Sequence, residues 1–198
     1  VFSVLVAALS VMFRGGIFDH TIRIVCIIGI CVPSFWLALL LLTAFAVRIP
    51  IFKVISDGGF KSLILPSIAM SFPVTCISIR VLRTSVLNEL KSDYVLYARA
   101  RGFTKSQIVY GEVLRNALPA AITLFAQYCA ALFGTSALVE SVFSIQGLGI
   151  YLMESCESMD IYGISGSILV SAVLFVIFNT VADVLSGLIC PAYRRRQT

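Results

Sequence analysis

Long uncharged stretches separated by short charged segments make up most of the chain. Residues 24–47 and 62–79 contain no Asp, Glu, Lys or Arg, and no Lys or Arg occurs from 116 to 193. Acidic residues divide that last tract into about 117–139 and 161–190: Glu140, Glu154, Glu157 and Asp160. Because about 20 apolar helical residues cross a bilayer core, the pattern predicts an all-α polytopic membrane protein with four complete spans.

The chain begins with a further apolar stretch that is too short to span. Residues 1–13 give roughly 20 Å of helix against a hydrocarbon core of about 30 Å. We therefore expect the first span to be cut and an amino-terminal region to be missing. The expected total is about five spans, of which the first is partial.

Composition excludes several function classes. Hydrophobic residues make up 59% of the 198 residues, charged residues 13%, and the mean hydropathy is +1.00. Soluble domains are roughly 25% charged, so a soluble enzyme or a free nucleic-acid binder is excluded. The six cysteines show no CxxC spacing, and five lie in apolar stretches. There cysteine acts as a small hydrophobe, and we expect no disulfide framework.

The distribution of basic residues predicts orientation. If the spans alternate, one side holds residues 14–23, 80–115 and the tail Arg194–Arg196, with two, seven and three of the 15 basic residues. The opposite side holds Arg48, Lys53 and Lys61 and the acidic residues between 140 and 160. The positive-inside rule makes the first side cytoplasmic.

The longest cytoplasmic stretch is residues 91–115. Its pattern predicts two short helices around a turn, in which Gly102 ends the first and Thr104 caps the second with Gln107 as partner. Small residues at Ala98 and Ala100 beside basic ones suit docking into a groove of another protein. The alternative is a basic loop that only fixes topology and touches lipid headgroups.

Residues 91–115 also resemble the cytoplasmic "EAA" loop of ABC importer permeases, whose pattern is E-A-A, three residues, Gly, nine residues and I-x-L-P. Because that loop couples the permease to an ATPase in the family, this segment is called the coupling loop. In register, Gly102 is the motif glycine, Ala98 the second alanine and Leu114 the leucine. Other motif positions differ: Leu96 and Tyr97 replace the Glu and first Ala, Glu112 the Ile, and Arg115 the Pro. The forms Ala98-Arg-Ala-Arg-Gly102 and Leu114-Arg-Asn-Ala-Leu-Pro119 are similar to those of the peptide/nickel importer subgroup.

Other segments resemble the same subgroup. They are Val32-Pro-Ser-Phe-Trp-Leu37, Leu65-Pro-Ser67, Val139-Glu-Ser-Val-Phe-Ser-Ile-Gln-Gly-Leu-Gly149, Phe178-Asn-Thr-Val-Ala-Asp183 and Cys190-Pro-Ala-Tyr-Arg194. The segment 139–149 resembles the subgroup pattern V-E-x-V-F-x-x-P-G-L-G, and this chain has Gln146 where that pattern has Pro. The resemblance covers the chain essentially end to end.

The resemblance implies a type I ABC importer transmembrane domain over 1–198 in the cytoplasmic (inner) membrane of a bacterium. The chain would be a permease subunit for peptides or nickel and metal chelates. It would pair with a second homologous permease, two cytoplasmic ATPase subunits, an extracytoplasmic substrate-binding protein and membrane lipid, and not with nucleic acid. ATP and Mg would bind the ATPases, and this chain would bind no cofactor and perform no covalent chemistry.

The resemblance also implies roles for residues of the coupling loop, as a helix seated in a groove of the ATPase. Ala98 and Gly102 would allow close approach and the turn. The remaining loop residues implied at this site are Tyr94, Arg99, Ala100, Arg101, Lys105 and Arg115.

Four further residues are candidates for a pore or gate. Asn179 and Asp183 lie four residues apart, on one face of a helix; a structural clamp between spans is the alternative interpretation. Pro33 and Pro73 could mark a translocation path, and simple helix kinks explain them equally well.

The segment 153–160 carries Met, Cys and acidic residues, but a short external helix explains it better than a metal site, so we predict no metal site.

Rival functions are a stand-alone secondary transporter or channel, which would need coupling-ion sites in the spans, and an intramembrane enzyme. No span contains a histidine or a nucleophile–base pair, which argues against the enzyme.

Overall fold

The computed structural model describes residues 2–49, 51–52 and 59–189, and every regular element in these ranges is helical. The helices are α1 (Phe2–Met12), α2 (Ile17–Cys31), α3 (Ser34–Leu42), α4 (Ile64–Glu89), α5 (Asp93–Ala100), α6 (Lys105–Gln107), α7 (Leu114–Thr135), α8 (Ala137–Val142), α9 (Leu148–Glu157) and α10 (Ile161–Ile189). The all-α prediction is confirmed. Lys53, the tail Arg194–Arg196 and the segment Cys190–Arg194 lie outside the described residues.

Two of these helices are long and apolar enough to cross a membrane on their own. They are Ile161–Ile189 and the helix Phe60–Glu89, which consists of a 3-10 turn and α4. A third span results if Ile17–Cys31 and Ser34–Arg48 are counted together. The fold is thus that of a multi-span helical protein, whereas the total of about five spans stays a prediction.

The span predicted over 24–47 is broken at Pro33, one of the positions where the sequence allows a helix kink. α2 begins at Ile17, inside the stretch expected to be a polar connector, and it ends at Cys31. Pro33 then occupies the N-cap of α3 with an extended backbone. Because proline has no N–H and its ring clashes with the preceding turn, the helix restarts at Ser34.

The coupling loop also differs from the prediction of two short helices around a turn. The first helix is short, but the second runs on from Lys105 through a π-helical turn, Ile108–Val113, into α7. Residues 105–118 contain no proline, and their one glycine, Gly111, is tolerated within a helix. The predicted tract 117–139 is therefore a helix to Thr135, followed by the separate α8.

The chain divides into two compact units. The first lies within Val1–Gly29, Thr75–Ala126 and Asn179–Thr198, and the second within Ile30–Val74 and Gln127–Phe178. In the second unit, a core of Ala38, Leu65, Ala69, Val139 and Phe143 joins α3, the start of α4 and α8.

In the second unit, Glu140 of α8 holds the beginning of α9. Its carboxylate accepts from the Ile150 N–H at 2.8 Å and from the Ser136 hydroxyl. Ile150 is the third residue of α9, so Glu140 satisfies an N–H that has no partner within that helix. A Cβ at Gly149 would lie 2.5 Å from the backbone nitrogen of Ala137, which shows how closely α8 and α9 approach.

In the first unit, a buried ion pair joins α1, α2 and α4. Asp19 is 2% exposed, and its oxygens accept from Nε and Nη2 of Arg83 at 2.9 and 2.8 Å. The buried Ser10 hydroxyl donates to Asp19 Oδ1 at 2.5 Å, and the Gly15 N–H donates to Oδ2 at 3.3 Å. Gly15 has φ +84°, a conformation that glycine adopts without strain, so the α1–α2 turn can bring its N–H to the carboxylate.

We predict that Arg83→Gln destabilises the protein by about 3–5 kcal/mol, because it leaves the Asp19 carboxylate buried without its cation. Thermal and denaturant unfolding of the purified protein in detergent would measure the loss. Arg80→Gln, an exposed position on the same helix, should change stability by less than about 0.5 kcal/mol. The double variant Asp19→Asn, Arg83→Gln should recover part of the lost stability. Equal stability of Arg83→Gln and Arg80→Gln would contradict the conclusion that Arg83 neutralises a buried carboxylate.

We further predict that Gly149→Ala lowers stability by about 1–3 kcal/mol, since the added methyl group must displace the backbone of α8. Gly166→Ala is the matched control, because a Cβ there meets no atom within 4 Å. Unfolding temperatures of the two variants provide the comparison. A neutral Gly149→Ala would show that α8 and α9 are not in close contact.

Candidate functional site

The first helix of the coupling loop, α5, ends as the sequence predicted. Gly102 has φ +85°, the left-handed conformation in which glycine is favoured. The Phe103 N–H donates to the Ala98 carbonyl at 3.2 Å, and the Gly102 N–H donates to the Arg99 carbonyl at 2.9 Å. This pair of bonds is a Schellman motif, so the helix end is set by local chemistry.

The next helix begins as predicted at Thr104. Its hydroxyl accepts from the Gln107 N–H at 3.4 Å, while the Gln107 side chain accepts from the Thr104 N–H at 2.9 Å. This reciprocal pair is a capping box. The turn between α5 and α6 is therefore two residues of defined geometry, Gly102 and Phe103, between two capped helix ends.

The buried faces of these helices pack against one another. Val95 on α5 and Ile108, Val109 and Val113 on the π-helical turn are all buried. Tyr94 is half-buried, and its hydroxyl donates to the Glu89 carboxylate at the end of α4 at 3.0 Å. Burial, with a smaller effect of Glu89, raises the pKa of Tyr94 above its ordinary value, so the phenol stays protonated and can donate.

Two basic residues of the predicted site bind the ends of other helices. The Lys105 ammonium donates to the carbonyls of Met12 and Val11 at 2.9 and 3.3 Å. Arg115 Nε donates to the Ile189 carbonyl at 3.0 Å. Both contacts place a positive charge on main-chain carbonyls, those of the last two residues of α1 and that of Ile189 in α10. At the C-terminus of α1 the helix dipole favours a cation.

Three apolar side chains of the coupling loop face outward instead of into the core. Leu96 is 60% exposed, Tyr97 is 73% exposed, and Phe103 is 43% exposed. The Arg101 guanidinium lies 5.2 Å from the centre of the Phe103 ring, a cation–π contact. With Arg99 and Ala100, which are also exposed, these residues form an apolar and basic surface, named the outer face below.

Sequence reasoning did not include Leu96, Tyr97 and Phe103 among the site residues. The sequence did contain a signal for two of them, because Leu96 and Tyr97 stand at positions where the family pattern has other residues. Apolar side chains next to the buried Val95 on a short helix outside the spans cannot all face the core. The structure brings these residues together with Arg99, Ala100 and Arg101.

A hollow of about 360 Å³ opens beside the outer face. Its walls include Tyr97, Ala98 and Arg101 from α5 and its end, and Gln107 and Gly111 from the following helix. The small side chain of Ala98 and the glycine leave this space open. A side chain of another protein could insert here between α5 and the π-helical turn.

The predicted pore or gate residues are not brought together within one unit. Pro33 and Pro73 belong to the second unit, whereas Asn179 and Asp183 belong to the first. On α10 the buried positions nearby are Ala182 and Ser186, while Asp183 is exposed. Their role stays a prediction.

No group of three or more His, Cys, Asp and Glu side chains that could hold a metal ion occurs in the described part of the chain. Residues 153–157 of the acidic and sulfur-containing segment lie in α9, a short helix, as its alternative interpretation expected.

We predict that Lys105→Met weakens the end of α1. Removing the ammonium leaves two carbonyls without their cation, worth about 0.3–1 kcal/mol at a helix C-terminus. Backbone amides of residues 11–13 should then exchange hydrogen about two- to fivefold faster, as measured by mass spectrometry. Lys105→Arg keeps the charge and should exchange like the unmodified protein, whereas unchanged exchange in Lys105→Met would contradict the contact.

Comparison with known proteins gives a consistent picture. The model of the family described as "Binding-protein-dependent transport system inner membrane component" matches residues 1–195. A dipeptide transport system permease protein of Lactococcus lactis is 32% identical over 194 residues, which are 98% of this chain and 64% of that protein. A metal-staphylopine import system permease protein of Staphylococcus aureus is 34% identical over 192 residues, 97% of this chain and 61% of that protein.

A glutathione transport system permease protein of Escherichia coli is 31% identical over 194 residues, covering 98% of this chain and 63% of that protein. The chain thus spans somewhat less than two thirds of the length of each of these three relatives. The named substrates of the relatives are a dipeptide, glutathione and a metal chelate.

Proposed function

Since this chain belongs to the family of binding-protein-dependent transport system inner membrane components, we propose that it is a permease subunit of an ATP-driven importer. Residues 1–198 would form one permease domain of the cytoplasmic membrane. The chain performs no covalent chemistry, and separate subunits bind and hydrolyse ATP with Mg. Family membership does not favour a stand-alone transporter or channel.

The observation that carries this proposal is the coupling loop, whose turn lies between two capped helix ends and whose outer face exposes apolar side chains. A solvated loop that only fixed topology would gain nothing from leaving Leu96 and Tyr97 exposed. Aromatic and arginine side chains are the ones that contribute most at protein–protein interfaces. The outer face fits a groove on a cytoplasmic ATPase, and the neighbouring hollow can receive a side chain of that partner.

The contacts of the coupling loop explain how movement of a docked ATPase would reach the spans. Tyr94 bonds to the end of α4, Lys105 to the end of α1, and Arg115 to the end of α10. A displacement of the outer face therefore acts on three helices through direct hydrogen bonds. Such coupling biases the pore between two states when ATP closes the ATPases. In this proposal Lys105 and Arg115 are positioning residues, whereas Arg99 and Arg101 contact the partner.

The proposed orientation places the coupling loop in the cytoplasm. Seven of the 15 basic residues lie between 80 and 115, which the positive-inside rule assigns to the cytoplasmic side. A second permease, two ATPases and an extracytoplasmic binding protein would complete the importer. The substrates are proposed to be short peptides or metal chelates, in line with those of the relatives.

The test is the variant Tyr97→Glu in the assembled importer. Placing a charge on the outer face should lower co-purification of the ATPase about tenfold or more, the effect typical of a central aromatic contact, and abolish uptake of labelled peptide. Because Tyr97 is 73% exposed, the chain itself should stay folded and inserted.

Tyr162→Glu is the matched control. It introduces the same charge at a tyrosine that is 90% exposed but lies at the start of α10, outside the coupling loop. It should leave ATPase co-purification unchanged. Normal ATPase binding and uptake with Tyr97→Glu would refute the proposed docking surface.

A further inference from the structure

A basic cleft lies between the first part of α2 and the last part of α4, apart from the coupling loop. Its volume is about 430 Å³. Arg14, Arg23 and His20 line it from one side, and Arg80, Arg83 and Thr84 from the other. All of these residues belong to the first unit.

Most of the positive charge in the cleft is not neutralised. Arg83 is committed to the buried carboxylate of Asp19. Arg14, Arg23 and Arg80 are exposed, and none of them forms an ion pair with another described residue. Three guanidinium groups around one small volume repel each other, so an anion bound among them would be favoured.

The cleft is amphipathic along its length. Two contacts set an antiparallel register between α2 and α4: Asp19 pairs with Arg83, and the buried thiol of Cys26 lies close to that of Cys76. Arg23 and Arg80 therefore lie between the ion pair at one level and the two cysteines at the next. Ile27 and Ile79 continue the wall in that direction, into the apolar part of the helices.

The outer side of α2 continues this apolar surface. Ile24, Val25, Ile27 and Ile28 are each about half exposed, between 48% and 57%. A ligand seated in the cleft would thus meet cations at one end and hydrocarbon at the other. A small soluble anion would use only the first of these features.

We propose that this cleft binds the head group of an anionic phospholipid, with Arg23 and Arg80 on its phosphate and an acyl chain along Ile27 and Ile28. Guanidinium groups suit this task because they present several donors to phosphate oxygens. Basic pockets between transmembrane helices are known to hold such head groups. Binding does not depend on docking of the ATPase; only the identity of the leaflet as cytoplasmic rests on the proposed orientation.

The experiment uses the assembled importer in nanodiscs of phosphatidylcholine with or without phosphatidylglycerol. Native mass spectrometry counts the lipids that stay bound to the protein after it is released from the nanodisc. The unmodified protein should retain phosphatidylglycerol in preference to phosphatidylcholine. The double variant Arg23→Gln, Arg80→Gln should bind it about 25-fold more weakly, since each arginine near anionic lipid contributes on the order of fivefold.

The matched control is Arg48→Gln, Lys61→Gln, which removes the same charge from two exposed positions outside the cleft and should retain the lipid. Equal retention of phosphatidylglycerol by the Arg23/Arg80 variant, or equal retention of phosphatidylcholine by the unmodified protein, would overturn the proposal. So would displacement by millimolar inorganic phosphate, which would indicate a site for a soluble anion. Continued ATPase co-purification in the variant would separate this result from any failure of the proposed import function.

Discussion

The buried carboxylate of Asp19 constrains how α1, α2 and α4 pack in the first unit. An unpaired charge away from water costs several kcal/mol, so the carboxylate needs a cation and further donors at fixed positions. Arg83 supplies the cation, while Ser10 and the Gly15 N–H occupy the remaining acceptor positions. These groups come from α1, the α1–α2 turn and α4, so the bonds to one carboxylate join all three. The coupling loop then builds on ends of α1 and α4 that are already positioned.

The coupling loop combines local and long-range sources of rigidity. The Schellman motif at Gly102 and the capping box at Thr104 define the turn without help from other segments. Tyr94, Lys105 and Arg115 then tie the loop to three helices whose residues are distant in the sequence. With the helix caps alone, the coupling loop would have a defined conformation but could move relative to the spans. With the long-range bonds alone, it would be attached to the spans but its own conformation would be poorly defined. Together they allow a surface to be displaced as one body.

Sequence reasoning predicted features that depend on neighbouring residues. Gly102 and the Thr104–Gln107 pair are examples, because helix caps follow from chemistry within a few positions. Pro33 was identified as a possible kink, but the apolar length of 24–47 does not reveal that α2 ends there and a separate helix begins at Ser34. Asp19 was assigned to a polar connector, since nothing within a few residues of it reveals a partner 64 positions away. Lys105 and Arg115 were placed in the site, but their partners are backbone carbonyls of distant helices, which no local pattern specifies.

The choice of main-chain oxygens as partners has an evolutionary consequence. Val11, Met12 and Ile189 contribute their carbonyls to Lys105 and Arg115, and every amino acid carries that group. Relatives could therefore exchange the side chains at these three positions without losing either bond, provided the helix ends stay in place. Paired substitutions, which often reveal contacts between side chains, would not be expected here, and a survey of correlated changes would overlook two of the links that join this loop to the spans.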